Sequence, residues 1–278
     1  MANRPLDITD YMDPGCPFCT DAFQNEPPIR SIPIDRILER LDADYARNDT
    51  ESAERHLDYW LREAKEGRDL RGELFLRNER MGFFRKAGRK EEAFENAERA
   101  LELVELLEMK QSVTAGTTLV NAATVFQAFE DPGRAVVLFE KARTLYEGEL
   151  SPGDERLGGL YNNMALTLTA LARYREAAEL FSKALSVMSG CPGGEKEMAV
   201  TYLNLASCTE AEKGLEEGEP EIGDYLEKAS GLLESPLIPR DGEYAFVCEK
   251  CAPVFGYYGW FLREQELKER AEALYAGA

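Results

Sequence analysis

Small and large apolar residues recur at helical spacing along most of the chain, and the clearest unit runs from Gly158 to Gly190. Within it Ala177, Phe181 and Ala184 lie four and three residues apart. Ala165 comes twelve residues before Ala177, in the run Tyr161-Asn162-Asn163-Met164-Ala165. This spacing predicts two helices joined by a short turn. Small residues at Ala165, Ala177 and Ala184 let the helices approach closely, while Tyr161, Leu168 and Phe181 fill the space between them.

The unit is repeated. Ala93, Ala135 and Ala177 hold the same place at steps of 42 residues, and a chance match would not recur with its helical surroundings at a constant period. The pattern predicts pairs at Asp35 to Arg47 with Glu51 to Glu66, at Arg71 to Lys86 with Lys90 to Met109, and at Ala115 to Phe129 with Pro132 to Gly148. In the first pair Ala53, Leu57 and Trp60 take the places of Ala177, Phe181 and Ala184; in the second these are Ala93, Ala97 and Ala100, with Gly88 in the turn. Pro152 and Pro192, each followed by glycine, mark joins between repeats. A fifth pair begins at Tyr202 to Ala206, with Gly214 to Pro220 read as a lengthened turn before Ile222, Leu226 and Ala229. A sixth pairs an aromatic helix, Val254 to Phe261, with Leu267, Ala271 and Leu274, and is expected to be a cap.

An aromatic, a small residue, a second large apolar residue and then A-x3-F before the next unit resembles the tetratricopeptide repeat. The 42-residue period is similar to the repeats of kinesin light chain and of bacterial peptide-sensing regulators. The resemblance covers about residues 34 to 276 and is strongest from 74 to 232. It implies an all-α, right-handed superhelical solenoid of antiparallel helix pairs, whose first helices line a concave groove. Such repeats usually make binding surfaces for protein segments.

Residues 1–33 differ from the rest. Pro5, Pro14, Pro17, Pro27, Pro28 and Pro33 break any helical period, so this stretch reads as an extended arm, with 34–278 as the repeat domain. Two readings of the arm stand side by side: disorder, or docking onto the repeats, including into its own groove, through the apolar anchors Tyr11, Phe18, Phe23 and Ile29.

Composition narrows the partners. With 33 Lys and Arg against 52 Asp and Glu, the formal charge of -19 disfavours nucleic acid and anionic membrane surfaces. No run approaches the length of a membrane span and the first residues lack the plan of a secretory signal, so a cytoplasmic location is expected.

The most informative constellation is a row of asparagines. Asn121, Asn163 and Asn204 each precede a small residue, Ala123, Ala165 or Ala206, by two positions. A carboxamide offers a donor and an acceptor together, matching a peptide unit. In the family that this chain resembles, asparagine here commonly holds the backbone of a bound extended peptide. The other reading is that these residues merely satisfy neighbouring helix backbones. Thr117, Thr124, Gln127, Leu166, Thr169 and Ser207 share the row's side and complete the candidate groove. No Lys or Arg lies between Ala115 and Phe129, so a carboxylate clamp is not expected there; Arg77, Arg80 and Lys86 are the nearest cations and read as a solvated face.

Two CxxC sequences, Cys16 to Cys19 and Cys248 to Cys251, lie more than two hundred residues apart, against tens in usual zinc sites. Cys248 and Cys251 share one helix face and read as buried packing. For Cys16 and Cys19 the readings, in order, are unligated thiols, metal and redox chemistry. His56, the only histidine, is expected on a helix surface, and neither a nucleophilic pair nor a phosphate loop stands out.

The expected function is therefore a non-enzymatic scaffold, without cofactor, that holds an extended peptide or protein segment in its groove. Two alternatives stay open: a self-associating structural protein, in which the aromatic cap around Trp260 or the arm makes a homodimer, and a zinc or redox module using Cys16, Cys19, Cys248 and Cys251.

Overall fold

The computed structural model describes residues 27–276. Among these residues twelve helices and no strands are found. Their contacts divide the chain into two compact units, residues up to Asp44 with Asp49–Glu149, and Tyr45–Asn48 with residues from Leu150 onward.

The first unit holds most of α1 (Ile34–Ala46), then α2 (Thr50–Glu66), α3 (Leu70–Lys86), α4 (Lys90–Leu106), α5 (Val113–Ala128) and α6 (Pro132–Glu149). Helix starts are chemically marked. Asp49, Asp69 and Ser112 accept hydrogen bonds from the backbone N–H groups of Ser52, Gly72 and Ala115, supplying partners that a first turn lacks. Helix α4 has no side-chain cap, and Glu91 and Glu92 face its positive end instead. The turn inside each pair is one left-handed residue deep: Gly88 between α3 and α4 has φ +71°, and Glu130 between α5 and α6 has φ +64°. Helices α3 with α4 and α5 with α6 form antiparallel pairs, and α5 also packs on α4 and on α3.

The second unit holds α7 (Glu155–Ala170), α8 (Tyr174–Met188), α9 (Glu195–Lys213), α10 (Leu215–Leu233), α11 (Gly242–Tyr257) and α12 (Phe261–Ala276). Its pairs are α7 with α8, α9 with α10 and α11 with α12, and its first helices also meet, α7 on α9 and α9 on α11. The repeat alanines explain this closeness. Ala93, Ala97 and Ala100, Ala135 and Ala142, and Ala177 and Ala184 are completely buried, as are Phe139 and Phe181. Each phenylalanine contributes about 2 kcal/mol or more through its burial. Each unit is thus a stack of antiparallel helix pairs, the all-α helical-repeat solenoid that the spacing predicts.

Four local expectations are corrected. Gly214 alone makes the fifth turn, with φ +80°, and Gly214 to Pro220 is not a lengthened loop. Helix α10 begins at Leu215 and contains Pro220, whose fixed φ suits a helix and which forfeits one backbone bond near the start, where Glu216 and Glu217 favour the helix end. The aromatic run Val254 to Phe261 is not one helix, because Gly259, at φ +81°, breaks it between α11 and α12. Trp60 does not take a small residue's core place; it is half-buried beside His56 and Tyr59, and Ala64 closes the buried row of Ala53, Leu57 and Leu61. Ile29 is exposed, and Ile32 is the anchor instead: its side chain is buried, and its N–H donates to Asp69 Oδ2 at 2.9 Å. Arg30 N–H donates to Gly67 O at 3.2 Å, so the stretch before α1 lies on the corner between α2 and α3. Tyr11, Phe18 and Phe23 lie outside the described residues.

Candidate functional site

The asparagines sit on the first helices of their pairs, and each unit ties one of them to a carboxamide of the preceding pair. In the first unit Asn121 Nδ2 on α5 donates to Asn78 Oδ1 on α3 at 2.9 Å. Asn78 is held in turn, donating to Leu74 O at 3.0 Å and to Thr118 Oγ1 at 3.1 Å. In the second unit Asn204 Nδ2 on α9 donates to Asn162 Oδ1 on α7 at 3.0 Å. The two acceptors occupy one register, fifteen residues before Ala93 and before Ala177. Sequence reasoning missed them because the motif was read two positions before the first-helix alanine, whereas the acceptor lies one position earlier.

Each rung uses one N–H of its donor. Among the described residues the Oδ1 atoms of Asn121 and Asn204 form no hydrogen bond, so each retains an acceptor and a second N–H. Asn163 is half-buried, and no hydrogen bond of its carboxamide forms among the described residues; its backbone carbonyl accepts from Thr167 at 3.2 Å.

The remaining groove residues are arranged less uniformly. Thr124, Thr169 and Ser207 turn their hydroxyls back onto their own helices, donating to Val120 O, Ala165 O and Leu203 O. Gln127 and Leu166 are half-buried and Ser207 is exposed. Thr117 is drawn toward α6, its hydroxyl lying 2.7 Å from the Tyr146 hydroxyl.

Arg77 and Arg80 do not lie on a solvated face, whereas Lys86 is exposed. Arg77 and Glu73 are both buried, and Arg77 donates to Glu73, to Glu95 at 3.2 Å and to Asn96 at 2.9 Å. Arg99 joins from α4, 3.2 Å from Glu73. Arg80 pairs with Asp58, donates to Asn96 and lies over the Phe84 ring. Polar spacing on α3 suggested exposure, but the partners come from α2 and α4.

A carboxylate also occupies the row. Glu79 lies fourteen residues before Ala93, as Asn121 does before Ala135 and Asn163 before Ala177. Burial pushes its carboxyl above the usual range; Lys86 opposes that shift and Asp42 on α1 adds to it. Among the described residues Glu79 forms no hydrogen bond or salt bridge. The repeat register could have found it had carboxylates been admitted beside asparagines.

Cys248 and Cys251 are buried on α11, as their spacing suggested. Burial raises the Cys248 thiol and pushes Cys251 up to about 12, so both remain protonated and packed. Cys16 and Cys19 lie outside the described residues, among which no cluster of three or more metal-ligating side chains occurs. His56 is half-buried rather than on the surface, its Nε2 has no hydrogen-bond partner among the described residues, and burial lowers its pKa. No helix among the described residues is long and apolar enough to cross a membrane.

The family model for the tetratricopeptide repeat matches residues 78–148. The fold is similar to the crystal structure of BtubC from P. vanneervenii, at 18% identity and a TM-score of 0.60, covering 74% of this chain and 83% of that one. It is similar to a Rap protein complexed with Competence and Sporulation Factor, at 15% identity and a TM-score of 0.56, covering 88% and 78%. The TPR-like repeats of a kinesin light chain from Podosopora anserina align at 17% identity and a TM-score of 0.50, covering 74% and 96%. At these identities the likeness establishes the fold. No curated protein matches the chain.

Proposed function

We propose that this chain, whose residues 78–148 match the tetratricopeptide repeat model and whose fold is that of such repeats, is a non-enzymatic, cytoplasmic scaffold whose first helices hold an extended segment of a protein partner. The observation that carries this reading is the carboxamide rung repeated in both units, Asn78 with Asn121 and Asn162 with Asn204. Each rung orients one carboxamide while leaving it an acceptor and a donor, the pair of groups a peptide unit requires. Asn163 adds a further carboxamide on α7. The Rap protein of similar fold is complexed with Competence and Sporulation Factor, which agrees with a binding role on this architecture. The test is capture of binding proteins by the native chain and by an Asn121, Asn163, Asn204 triple alanine variant. Loss of captured proteins by a variant that still folds, with a fall in melting temperature no larger than the two lost rungs account for, supports the groove; equal capture refutes it.

A second reading rests on the corner between α11 and α12. Tyr257, Phe261 and Leu262 are 66%, 68% and 82% exposed there, and together they form an apolar corner suited to a second copy of the chain. Light scattering decides it, since a strictly monomeric mass removes the reading.

A further inference from the structure

We propose that Glu79 makes the α3 part of the groove a subsite for a basic side chain, so that the segment bound there carries a lysine or arginine facing α3. This rests on the groove reading above and names the chemistry of its ligand.

The first observation is register. Glu79 takes the position filled by asparagine in the next two repeats, and its neighbour Asn78 holds Asn121 across the α3 to α5 step. The exchange of carboxamide for carboxylate changes what can bind. An asparagine gives and accepts a hydrogen bond, whereas an ionised glutamate only accepts and carries a full charge. A ligand cation supplies both needs at once.

The second observation is that Glu79 differs from the acidic groups around it. Glu73 and Glu95 meet Arg77, and Asp58 meets Arg80, each in a salt bridge within the first unit. Those arginines are consumed by that network. Glu79 has no salt bridge among the described residues, although it is partly buried, and the charged groups acting on it are Lys86 of its own helix and Asp42 of α1. An unpaired, partly desolvated carboxylate is unfavourable in the free protein, and a ligand cation relieves that cost on binding. The overall charge of -19 adds a field that draws basic segments toward the chain.

The probe is a displayed library of random dodecapeptides selected on the full chain, followed by anisotropy measurements with acetylated synthetic copies of the selected peptides. Acetylation removes the terminal ammonium, so any cation that binds is a side chain. Wild type is expected to enrich Lys or Arg at one aligned position. Glu79→Gln should still select peptides, but without that enrichment, and should bind the basic peptides at least tenfold more weakly. Glu79→Lys should favour acidic residues at the same position. Asn121→Ala should weaken a basic peptide and its Lys→Met version alike. Peptides selected without a basic preference, or a preference unchanged in Glu79→Gln, would overturn the subsite and leave the groove standing. If wild type selects no peptide at all, the groove reading fails and the subsite fails with it.

Discussion

Asn204 donates to Asn162 Oδ1 at 3.0 Å across the step from α7 to α9, in the same register in which Asn121 donates to Asn78 across the step from α3 to α5. The two acceptors are nonetheless held differently. Asn78 also donates to Leu74 O and Thr118 Oγ1, whereas no donation from Asn162 Nδ2 occurs among the described residues. Asn162→Ala should therefore lower stability by about 1 kcal/mol, a fall in Tm of about 2–4 °C, through loss of a partly buried bond. Asn162→Asp keeps the acceptor and should melt close to wild type. Asn78→Asp loses two donations and should not be spared; thermal melts of the three variants check the contrast.

Arg77 gives a larger effect. It is 4% exposed and bonded to Glu73, Glu95 and Asn96, so Arg77→Ala leaves the buried Glu73 carboxylate with Arg99 as its one cation among the described residues and empties the space the guanidinium fills. The expected loss is about 3 kcal/mol, read from urea unfolding. The double variant Glu73→Gln, Arg77→Met should recover part of this, since it removes the half-satisfied carboxylate and refills the space of the guanidinium, while Arg99 keeps Glu102.

Two glycines at the same repeat position should respond differently to alanine. A Cβ at Gly116 would overlap the Tyr146 ring, and one at Gly158 would overlap the Met188 side chain. Tyr146 is buried, with its hydroxyl 2.7 Å from Thr117 Oγ1, so it cannot move aside. Gly116→Ala should cost about 2 kcal/mol by overpacking. Met188 is flexible, and alanine gains roughly 1 kcal/mol of helix propensity, so Gly158→Ala should fall within about 0.5 kcal/mol of wild type.

The repeat was legible because its cause is periodic. Ala93, Ala135 and Ala177 must be small wherever a second helix crosses a first, and all three are completely buried. What escaped the sequence depends on neighbours from other helices. Arg77 has the polar spacing of a surface residue, and only partners from α4 show why it is buried. Pro220 reads as a helix breaker, yet near the start of α10 it interrupts little. The asparagine row was visible as a motif, but its acceptors Asn78 and Asn162 lie one residue off that motif, where packing between adjacent first helices places them. Glu79 is hidden in the sequence for a chemical reason: a row of carboxamides does not announce a carboxylate, yet its register also admits one.

The cysteines separate packing from reactivity. Cys208, Cys248 and Cys251 are buried, and burial raises all three thiols, Cys251 to about 12. A raised thiol pKa keeps the proton on sulfur at pH 8. For Cys251 the thiolate fraction is on the order of one in ten thousand, before any steric protection by α12 is counted. Cys191 is half-buried in the join before α9, its thiol donating to Val187 O at 3.4 Å and to Gly153 O at 3.5 Å. Brief iodoacetamide treatment of the folded chain at pH 8, read by peptide mass mapping, should therefore modify Cys191 and leave Cys208, Cys248 and Cys251 unmodified. In urea all four should react. Labelling of Cys248 or Cys251 in the folded chain at the rate of Cys191 would show that α11 opens far more readily than its packing allows, and would reopen these thiols as ligands or redox groups.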